Sequence, residues 1–234
     1  MVHFDYTTYL SPFTFRYGSP EMRTIWSEVN RRKIWRSIWV ALAKAEEKAG
    51  LVTKEEVADL VAHQNDIDIE KAKEIEKEIY HEVMAEINVY AHQSKIGGGK
   101  IHLGATSTDV LDNTLIVQST ESLRIIENKL KELLKNLSGK IAMYQDTPCM
   151  GYTHLQPAEP TTMGYRFAFY AQDLLMDLEL LRKMQTFLKG KGMKGAVGTS
   201  ASYVNLLEQT DMSAETLERD VLTTLGIDAV TVSG

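Results

Sequence analysis

A histidine stands between threonines and two prolines in the segment GYTHLQPAEPTT, residues 151–162. Imidazole titrates near neutral pH without help from its surroundings, so a rigidly held histidine suits general acid or base catalysis. Pro157 and Pro160 favour an extended backbone before them, and one of the two final threonines can cap a following helix. The segment predicts that His154 lies in a fixed loop before a helix, either as an acid or base or within a capped structural turn.

A second polar segment, IHLGATSTDVLDN at 101–113, could hold a carboxylate. Thr106, Ser107 and Thr108 place three hydroxyls where a long helix is predicted to begin. An N-cap uses one of them, and the others, with the free N–H groups of the helix end, suit a negatively charged group. His102 is expected to be a structural histidine rather than a catalyst.

Two further positions have open interpretations. Arg16 and Tyr17 precede a predicted helix start in FRYGSPEM, where a guanidinium, a hydroxyl and helix-end N–H groups suit a phosphate or carboxylate. The alternative is a surface charge beside a packing ring. His81, in YHEVMAE, lies off the apolar stripe of its helix, so it is either solvated or turned toward a site.

Metal and phosphate-loop chemistry are not predicted. The spacing of His81, His92 and His102 matches no zinc pattern, and the chain has one cysteine. The segment KGKGMKGAVGTS, at 189–200, lacks the order of residues of a phosphate loop. It is interpreted as a flexible, basic, glycine-rich turn that lines an anion pocket.

Composition narrows the class of protein. The 234 residues carry a formal net charge of -6 and a pI near 5.6, which argues against non-specific nucleic-acid binding. The single Cys149 suits a reducing compartment. HFDYTTYLSPF shows no signal pattern, and IWRSIWVALA is too short and too charged to span a bilayer. A cytoplasmic protein without a membrane partner is expected.

Helical periodicity runs through the chain and predicts the all-α class. One helix is predicted from the Ser19 cap to Gly50, a capping box at TKEE opens a second, and a third covers about 68–95. Longer helices follow at about 108–146 and 161–189. The only candidate strand is a weak one, AVTVS at 229–233. We divide the chain into an N-terminal helical domain, 1–107, and the first part of a long-helix bundle domain, 108–234.

The two long helices carry apolar stripes that a compact chain of this length cannot bury. They are expected to form core, and to require a long bundle with partner subunits. The stripes consist of Leu111, Leu115, Leu123, Ile126, Leu130, Leu134, Leu137 and Ile141, then Phe167, Tyr170, Leu174, Leu178, Leu181, Met184 and Leu188.

Taken together, these segments resemble the adenylosuccinate lyase family of the fumarase/aspartase superfamily. RYGSPEM, HEVMAE, IHLGATSTDVLDNT, GYTHLQPAEPTT and KGMKGAVGTSAS occur in the family's order and spacing. THLQ alone is shared across the superfamily, whereas its combination with the arginine-tyrosine start and HLGATS is specific. The resemblance covers nearly the whole chain and corresponds to the N-terminal portion of the family.

The resemblance implies a cofactor-free and metal-free β-elimination that releases fumarate from adenylosuccinate, leaving AMP. It also implies cleavage of the succinyl-carboxamide ribotide of purine biosynthesis, in a homotetramer whose sites form from several subunits. By this resemblance His154 is the general acid. Thr106 and Ser107 bind a succinyl carboxylate, and Thr153 assists them. Arg16 and Tyr17 correspond to the phosphate grip, and His81 is a catalytic residue beside the substrate.

Two departures from the family pattern stand out. The family usually carries Arg-His-Asp where this chain has Tyr80, His81 and Glu82. The change removes the arginine's contact with a phosphate or carboxylate, and Tyr80 and Glu82 are assigned to substrate binding. The 234 residues also contain no loop of the SSxMPxKxNP type, which holds the family's serine base. The expectation is a truncated chain that is inactive alone. The alternatives are a non-catalytic helical assembly or binding fragment and another fumarate-releasing lyase of the superfamily.

Overall fold

A computed structural model describes Tyr9 and residues 11–233, and helices dominate it. Its helices are α1 (Pro20–Ile25), α2 (Glu28–Lys48), α3 (Lys54–His63), α4 (Ile69–Ile79), α5 (Glu82–Gln93), α6 (Ser107–Met143), α7 (Met163–Phe187), α8 (Ala201–Leu207) and α9 (Ala214–Leu225). Four strands accompany them: β1 (Pro148–Thr153), β2 (Gln156–Thr162), β3 (Lys189–Gly190) and β4 (Asp228–Ala229). A π-type turn covers Phe13–Tyr17 and a 3-10 turn Gly98–Lys100. The helical class is confirmed. HFDYTTYLSPF lies mostly outside the described residues.

The described chain forms two compact units. The first comprises the described residues of Met1–Ser119 together with those of Lys189–Gly234, and the second comprises Thr120–Leu188. The sequence-based boundary at 107 stays a prediction, and the compact units divide at different residues. The later segment of the first unit starts at Lys189, the first residue of β3, which pairs in parallel with β4.

Helix α2 forms the centre of the first unit. Trp35, Ile38 and Trp39 of this helix are fully buried in one apolar cluster with residues of α3 and α5, while Ala41, Leu42 and Ala45 enter a second cluster with α8 and α9. Glu86 of α5 is buried between two α2 guanidiniums, 2.8 Å from Arg32 and 2.7 Å from Arg36. Because a buried charge is tolerated only when it is paired, this contact fixes how α2 and α5 face each other.

In the second unit, the later part of α6 packs along α7. Gly164 allows the contact, since a Cβ there would lie 2.7 Å from the Cα of Gln145 and 2.8 Å from the carbonyl oxygen of Ile141. Glu127 of α6 accepts a hydrogen bond from Arg182 of α7 at 3.0 Å and pairs with Lys131 at 2.7 Å. Hydrogen bonds from these two cations lower the pKa of Glu127 to about 2.

Two predicted helices are each divided in two. The first breaks at Trp26 and Ser27, where the Ser27 hydroxyl accepts the N–H of Asn30 and begins α2. The third breaks at Tyr80, which adopts a left-handed conformation with φ 53°. Apolar periodicity continues across both breaks, so it did not reveal them. The Ser19 cap, the Thr53–Glu56 capping box and the two long helices are confirmed.

The prediction that 229–233 is the only strand candidate was wrong. Strands β1 and β2 form an antiparallel hairpin from GYTHLQPAEPTT and the residues before it, whereas β4 is only two residues long. Pro157 and Pro160 lie within β2, paired with Tyr152 and Met150. Both strands of a two-stranded ribbon are edge strands, and an edge strand accommodates proline.

The long apolar stripes remain largely exposed in this chain, as their length predicted. Leu178 is buried, but Leu115, Ile126, Tyr170 and Met184 are 52%, 44%, 60% and 54% exposed. Two paired helices have one seam between them, so apolar residues outside that seam remain on the surface of this chain. Their exposure is what was expected of stripes that a chain of this length cannot bury by itself.

Glu46 of α2 gives the first unit a pH-dependent weakness. Its side chain is fully buried, and neither carboxylate oxygen has a hydrogen-bond partner among the described residues. Burial raises the pKa of Glu46 to about 8, opposed in part by the charge of Lys100. The folded protein therefore binds a proton that the unfolded chain releases near pH 4.5, so stability falls as pH rises from there to about 8.

We expect Glu46→Gln to flatten this dependence. The parent should lose on the order of 3–5 kcal/mol of unfolding free energy between about pH 5 and pH 9, and the variant markedly less. Urea denaturation at several pH values measures the effect, with Glu47→Gln as the control on the neighbouring, more accessible carboxylate. Parallel pH profiles for the parent and Glu46→Gln would contradict the assignment.

Candidate active site

The start of α6 brings the predicted hydroxyls into a defined arrangement. The backbone N–H of Thr106 donates to Oδ2 of Asp109, in the first turn, at 3.2 Å. The hydroxyl of Ser107 lies 3.4 Å from Nε2 of His81, and that of Thr108 accepts a hydrogen bond from Nζ of Lys191 at 2.8 Å. The helix start is thus held by a carboxylate, and two of the three hydroxyls already have partners within this unit.

Asp109 is the most heavily bonded group of the site. It is fully buried, and its Oδ1 lies 3.0 Å from Nζ of Lys191 and 3.2 Å from the N–H of Lys194. Its Oδ2 accepts the N–H of Gly195 and the hydroxyl of Tyr203, both at 3.1 Å. Burial and the nearby carboxylate raise the pKa of Tyr203 well above its ordinary value, so its hydroxyl remains a donor. One carboxylate therefore joins α6, the 189–200 segment and α8.

The first half of the 189–200 segment is not the flexible basic turn that the sequence predicted. Residues 190–195 are buried, and both lysines among them are paired: Lys191 with Asp109, and Lys194 with Glu218 of α9 at 2.9 Å. Gly192 has φ +88°, and a Cβ there would collide with the Glu218 carboxylate. The glycines allow the backbone to approach these carboxylates closely, and the lysine charges are used internally.

His81 connects α5 to the start of α6. It is the N-cap of α5, where its Nδ1 accepts the N–H of Met84 at 3.2 Å, and its exposed ring reaches Ser107 through Nε2. Tyr80, before it, is 89% exposed in its left-handed conformation. Such a backbone in a bulky residue is strained and is common at functional sites. Of the predicted site residues, His81 and Ser107 are brought into contact.

Glu82, predicted to bind substrate, has a protein partner. Its carboxylate accepts a hydrogen bond from Arg31 of α2 at 3.0 Å, and both side chains are about one-third exposed. The guanidinium of Arg31 also pairs with the carboxylate of Glu28, at 2.9 Å. In this arrangement Glu82 positions the start of α5 rather than presenting a free carboxylate.

His102 has the structural role that the sequence predicted. Nε1 of Trp39 donates to Nδ1 of His102 at 3.0 Å, and the two rings meet edge to face. Burial lowers the pKa of His102 to about 4, against a raising effect of the Asp109 carboxylate. The ring is neutral at physiological pH and packs beneath the site.

His154 lies at the tip of the hairpin in the second unit. His154 and Leu155 have φ values of 50° and 63°, the positive values that two-residue hairpin turns require. Both side chains are exposed, and Thr162 caps α7 by accepting the N–H of Tyr165. The turn fixes the imidazole outside any apolar interior of this unit. The prolines act from within β2, not by extending a loop as predicted.

A cavity of about 840 Å³ lies beside the hairpin, within the second unit. Thr153 and Arg166 line it together with the rings of Tyr152, Tyr165 and Tyr170. The guanidinium of Arg166 donates to the carbonyl oxygen of Met150. The sequence analysis did not identify Arg166. It also missed the ion pair between Asp109 and Lys191, although an acidic residue in the first turn of a helix and a lysine among glycines could have indicated it.

Arg16 and Tyr17 lie in the π-type turn before α1, and both are exposed. The Arg16 guanidinium carbon is 6.0 Å from the Tyr17 ring centre. Their predicted role as a phosphate grip stays a prediction.

Among the described residues, no group of three or more histidine, cysteine, aspartate or glutamate side chains could hold a metal ion. Over the same residues, no helix has both the length and the apolar character for a bilayer span.

Residues 14–225 match the family model described as Lyase. Adenylosuccinate lyase of Saccharomyces cerevisiae is 36% identical over 97% of this chain, which covers 48% of that protein. The adenylosuccinate lyase of Archaeoglobus fulgidus is 38% identical over 82% of this chain and is itself covered to 43%. The chain spans about half the length of the curated relatives it matches.

Solved structures agree on the fold. The 3-carboxy-cis,cis-muconate lactonizing enzyme of Pseudomonas putida has a TM-score of 0.80 at 26% identity, covering 94% of this chain and 50% of that one. A fumarate lyase from Mesorhizobium sp. BNC1 has a TM-score of 0.79 at 22% identity, covering 91% of this chain and 49% of that one. The predicted superfamily architecture is confirmed.

Asp109→Asn should destabilise the first unit strongly. The amide cannot balance the buried charge of Lys191, and removing one partner of a buried pair costs about 3–5 kcal/mol. Urea unfolding followed by circular dichroism measures the loss, and Asp112→Asn, an exposed position on the same helix, is the matched control. A loss below about 1 kcal/mol would show that the carboxylate does not organise the site.

Proposed function

Since the chain belongs to the lyase family, we propose that it carries part of the active site of an adenylosuccinate lyase. The reaction eliminates fumarate from adenylosuccinate to leave AMP, and it cleaves the succinyl-carboxamide ribotide of purine biosynthesis in the same way. The observation that carries this proposal is the 36% identity to the adenylosuccinate lyase of Saccharomyces cerevisiae over 97% of the chain. The aligned region includes both the start of α6, with Thr106 and Ser107, and the hairpin that carries His154.

His154 is the general acid of the proposed reaction. β-Elimination requires a base to remove a proton from the carbon beside a succinyl carboxylate, and an acid to protonate the departing nitrogen. Because the turn already fixes the backbone at His154, little conformational freedom remains to be lost before proton transfer. The imidazole is exposed and therefore accessible to a ligand. Thr153 precedes it and lines the adjacent cavity.

Thr106 and Ser107 hold the succinyl carboxylate. They stand at the N-terminus of α6, where the helix dipole favours negative charge. The charges of Asp109 and Lys191 largely cancel, so the buried carboxylate adds little negative charge at the helix start. Donors held in place before the reaction stabilise charge that develops on the carboxylate as the proton leaves.

Arg16 and Tyr17 grip the phosphate of the nucleotide, and Tyr80 contacts the substrate beside His81. Glu82 contributes through its pair with Arg31, which fixes the N-terminal turn carrying His81. The single Cys149 supports a reducing, cytoplasmic location.

In a longer, catalytically active protein that carries this sequence, His154→Gln should lower kcat for adenylosuccinate by about 10²- to 10⁴-fold while leaving binding nearly unchanged. Ser107→Ala should instead weaken binding. Turnover is followed by the absorbance change as AMP forms, and His92→Gln provides the same substitution at an exposed histidine outside the site. Parent-like turnover by His154→Gln would remove the general acid from the scheme.

For the 234 residues alone we propose binding without turnover, because they contain no serine-base loop of the family type. Calorimetry with adenylosuccinate measures the binding, and Ser107→Ala tests its site. Full turnover by this chain would contradict the proposal. If a longer protein carrying this sequence bound the ligand but never converted it, a non-catalytic binding protein would be favoured.

We also propose that the protein assembles as a homotetramer, supported by the exposed apolar side chains of α7. Phe169, Met176, Leu180 and Phe187 are 61%, 63%, 57% and 81% exposed. Exposed apolar area on this scale is typical of an interface. Light scattering should detect self-association that weakens in Leu180→Glu, whereas a clean monomer would count against the assembly.

A further inference from the structure

We infer that the backbone N–H of Met84 fixes His81 in the tautomer with its proton on Nε2, so that the ring offers the ligand a hydrogen-bond donor. The inference rests on the proposed function, because the ligand in question is the carboxylate-bearing substrate of that site. It gives the catalytic residue His81 the definite role of a fixed hydrogen-bond donor.

The tautomer follows from the cap of α5. The N–H of Met84 points at Nδ1 of His81 over 3.2 Å. A backbone N–H can only donate, so Nδ1 must present its lone pair. A neutral imidazole carries one proton, which then lies on Nε2.

The second nitrogen faces Ser107. Nε2 is 3.4 Å from the Ser107 hydroxyl, a long contact, and the ring is exposed. With its proton on Nε2, the ring donates and the serine oxygen accepts, which leaves the serine hydrogen free to donate elsewhere. A carboxylate oxygen that accepts the Nε2–H in place of the serine oxygen then meets an imidazole N–H and a serine O–H side by side.

The choice of histidine at this cap is itself informative. At six other helix starts in the chain, an oxygen of serine, threonine or aspartate accepts the capping N–H: Ser19, Ser27, Thr53, Asp68, Thr162 and Ser213. An oxygen cap would have served α5 equally well. What histidine adds is the opposite side of its ring, where Nε2 extends toward Ser107.

This arrangement assigns His81 a definite part in the elimination. Nε2 has no lone pair in this tautomer, so it cannot take the proton from the substrate carbon. A proton on Nδ1 would face the Met84 N–H and break the cap. The ring therefore binds an oxygen on which negative charge grows, and the proton transfers belong to other groups.

Two variants separate the two nitrogens. In His81→Asn the side-chain oxygen can reach the position of Nδ1 and keep the cap, but nothing replaces Nε2. In His81→Gln the longer amide can return an N–H near Nε2, but the cap is lost. We expect Asn to keep the melting temperature and lose about 10- to 100-fold in adenylosuccinate affinity. Gln should lower the melting temperature and retain more affinity.

A purely structural His81 would give the opposite pattern, with parent-like affinity in His81→Asn. That result would overturn the inference while leaving the proposed function intact, provided that the parent chain binds adenylosuccinate. If the parent bound no adenylosuccinate, the proposed function and the ligand-binding part of the inference would fail together.

The tautomer can be determined without any ligand. With ¹⁵N-histidine in the chain, long-range proton–nitrogen NMR distinguishes a protonated from an unprotonated ring nitrogen, and the signal missing in His81→Asn identifies residue 81. We expect a protonated Nε2 and an unprotonated Nδ1, with Nε2 shifting when adenylosuccinate is added. A proton on Nδ1 would overturn the inference whatever the outcome for function.

Discussion

The buried carboxylate of Asp109 is the constraint on which the first unit depends. A charge without solvent requires paired or hydrogen-bonded partners, and Asp109 takes them from its own helix start and from two segments distant in sequence, 189–200 and Tyr203 of α8. Each of these segments must therefore return to one point. The glycines of 189–200 let the backbone come close enough, and Lys191 supplies the compensating charge.

The candidate carboxylate site follows from the same constraint. Because Asp109 holds the N–H of Thr106 and Lys191 holds the hydroxyl of Thr108, Ser107 is left facing His81. Other buried charged groups in this unit are also paired: Glu86 with Arg32 and Arg36, and Lys194 with Glu218. Glu46 departs from it, and its raised pKa is the consequence.

The second unit uses backbone conformation where the first uses charge. Its hairpin places His154 at a turn whose residues both have positive φ, a costly geometry for side chains other than glycine or asparagine. Strain of this kind is retained where the position of a side chain matters more than local stability. The apolar surface of α7 gives the same unit a reason to associate, since leaving it in water is unfavourable.

The sequence by itself determined the helical class, the two long helices and several caps, because these depend on local periodicity and on single hydrogen-bonding side chains. It also identified Ser107 at a helix start and His154 before another, whereas it placed His81 inside a helix. The tertiary structure decided what periodicity cannot encode: the left-handed break at Tyr80, the hairpin containing two prolines, and the burial of lysines that looked like a basic surface. The lysines are buried only because Asp109 and Glu218, distant in sequence, supply the opposite charges, and the hairpin requires pairing between two strands, which apolar periodicity does not encode.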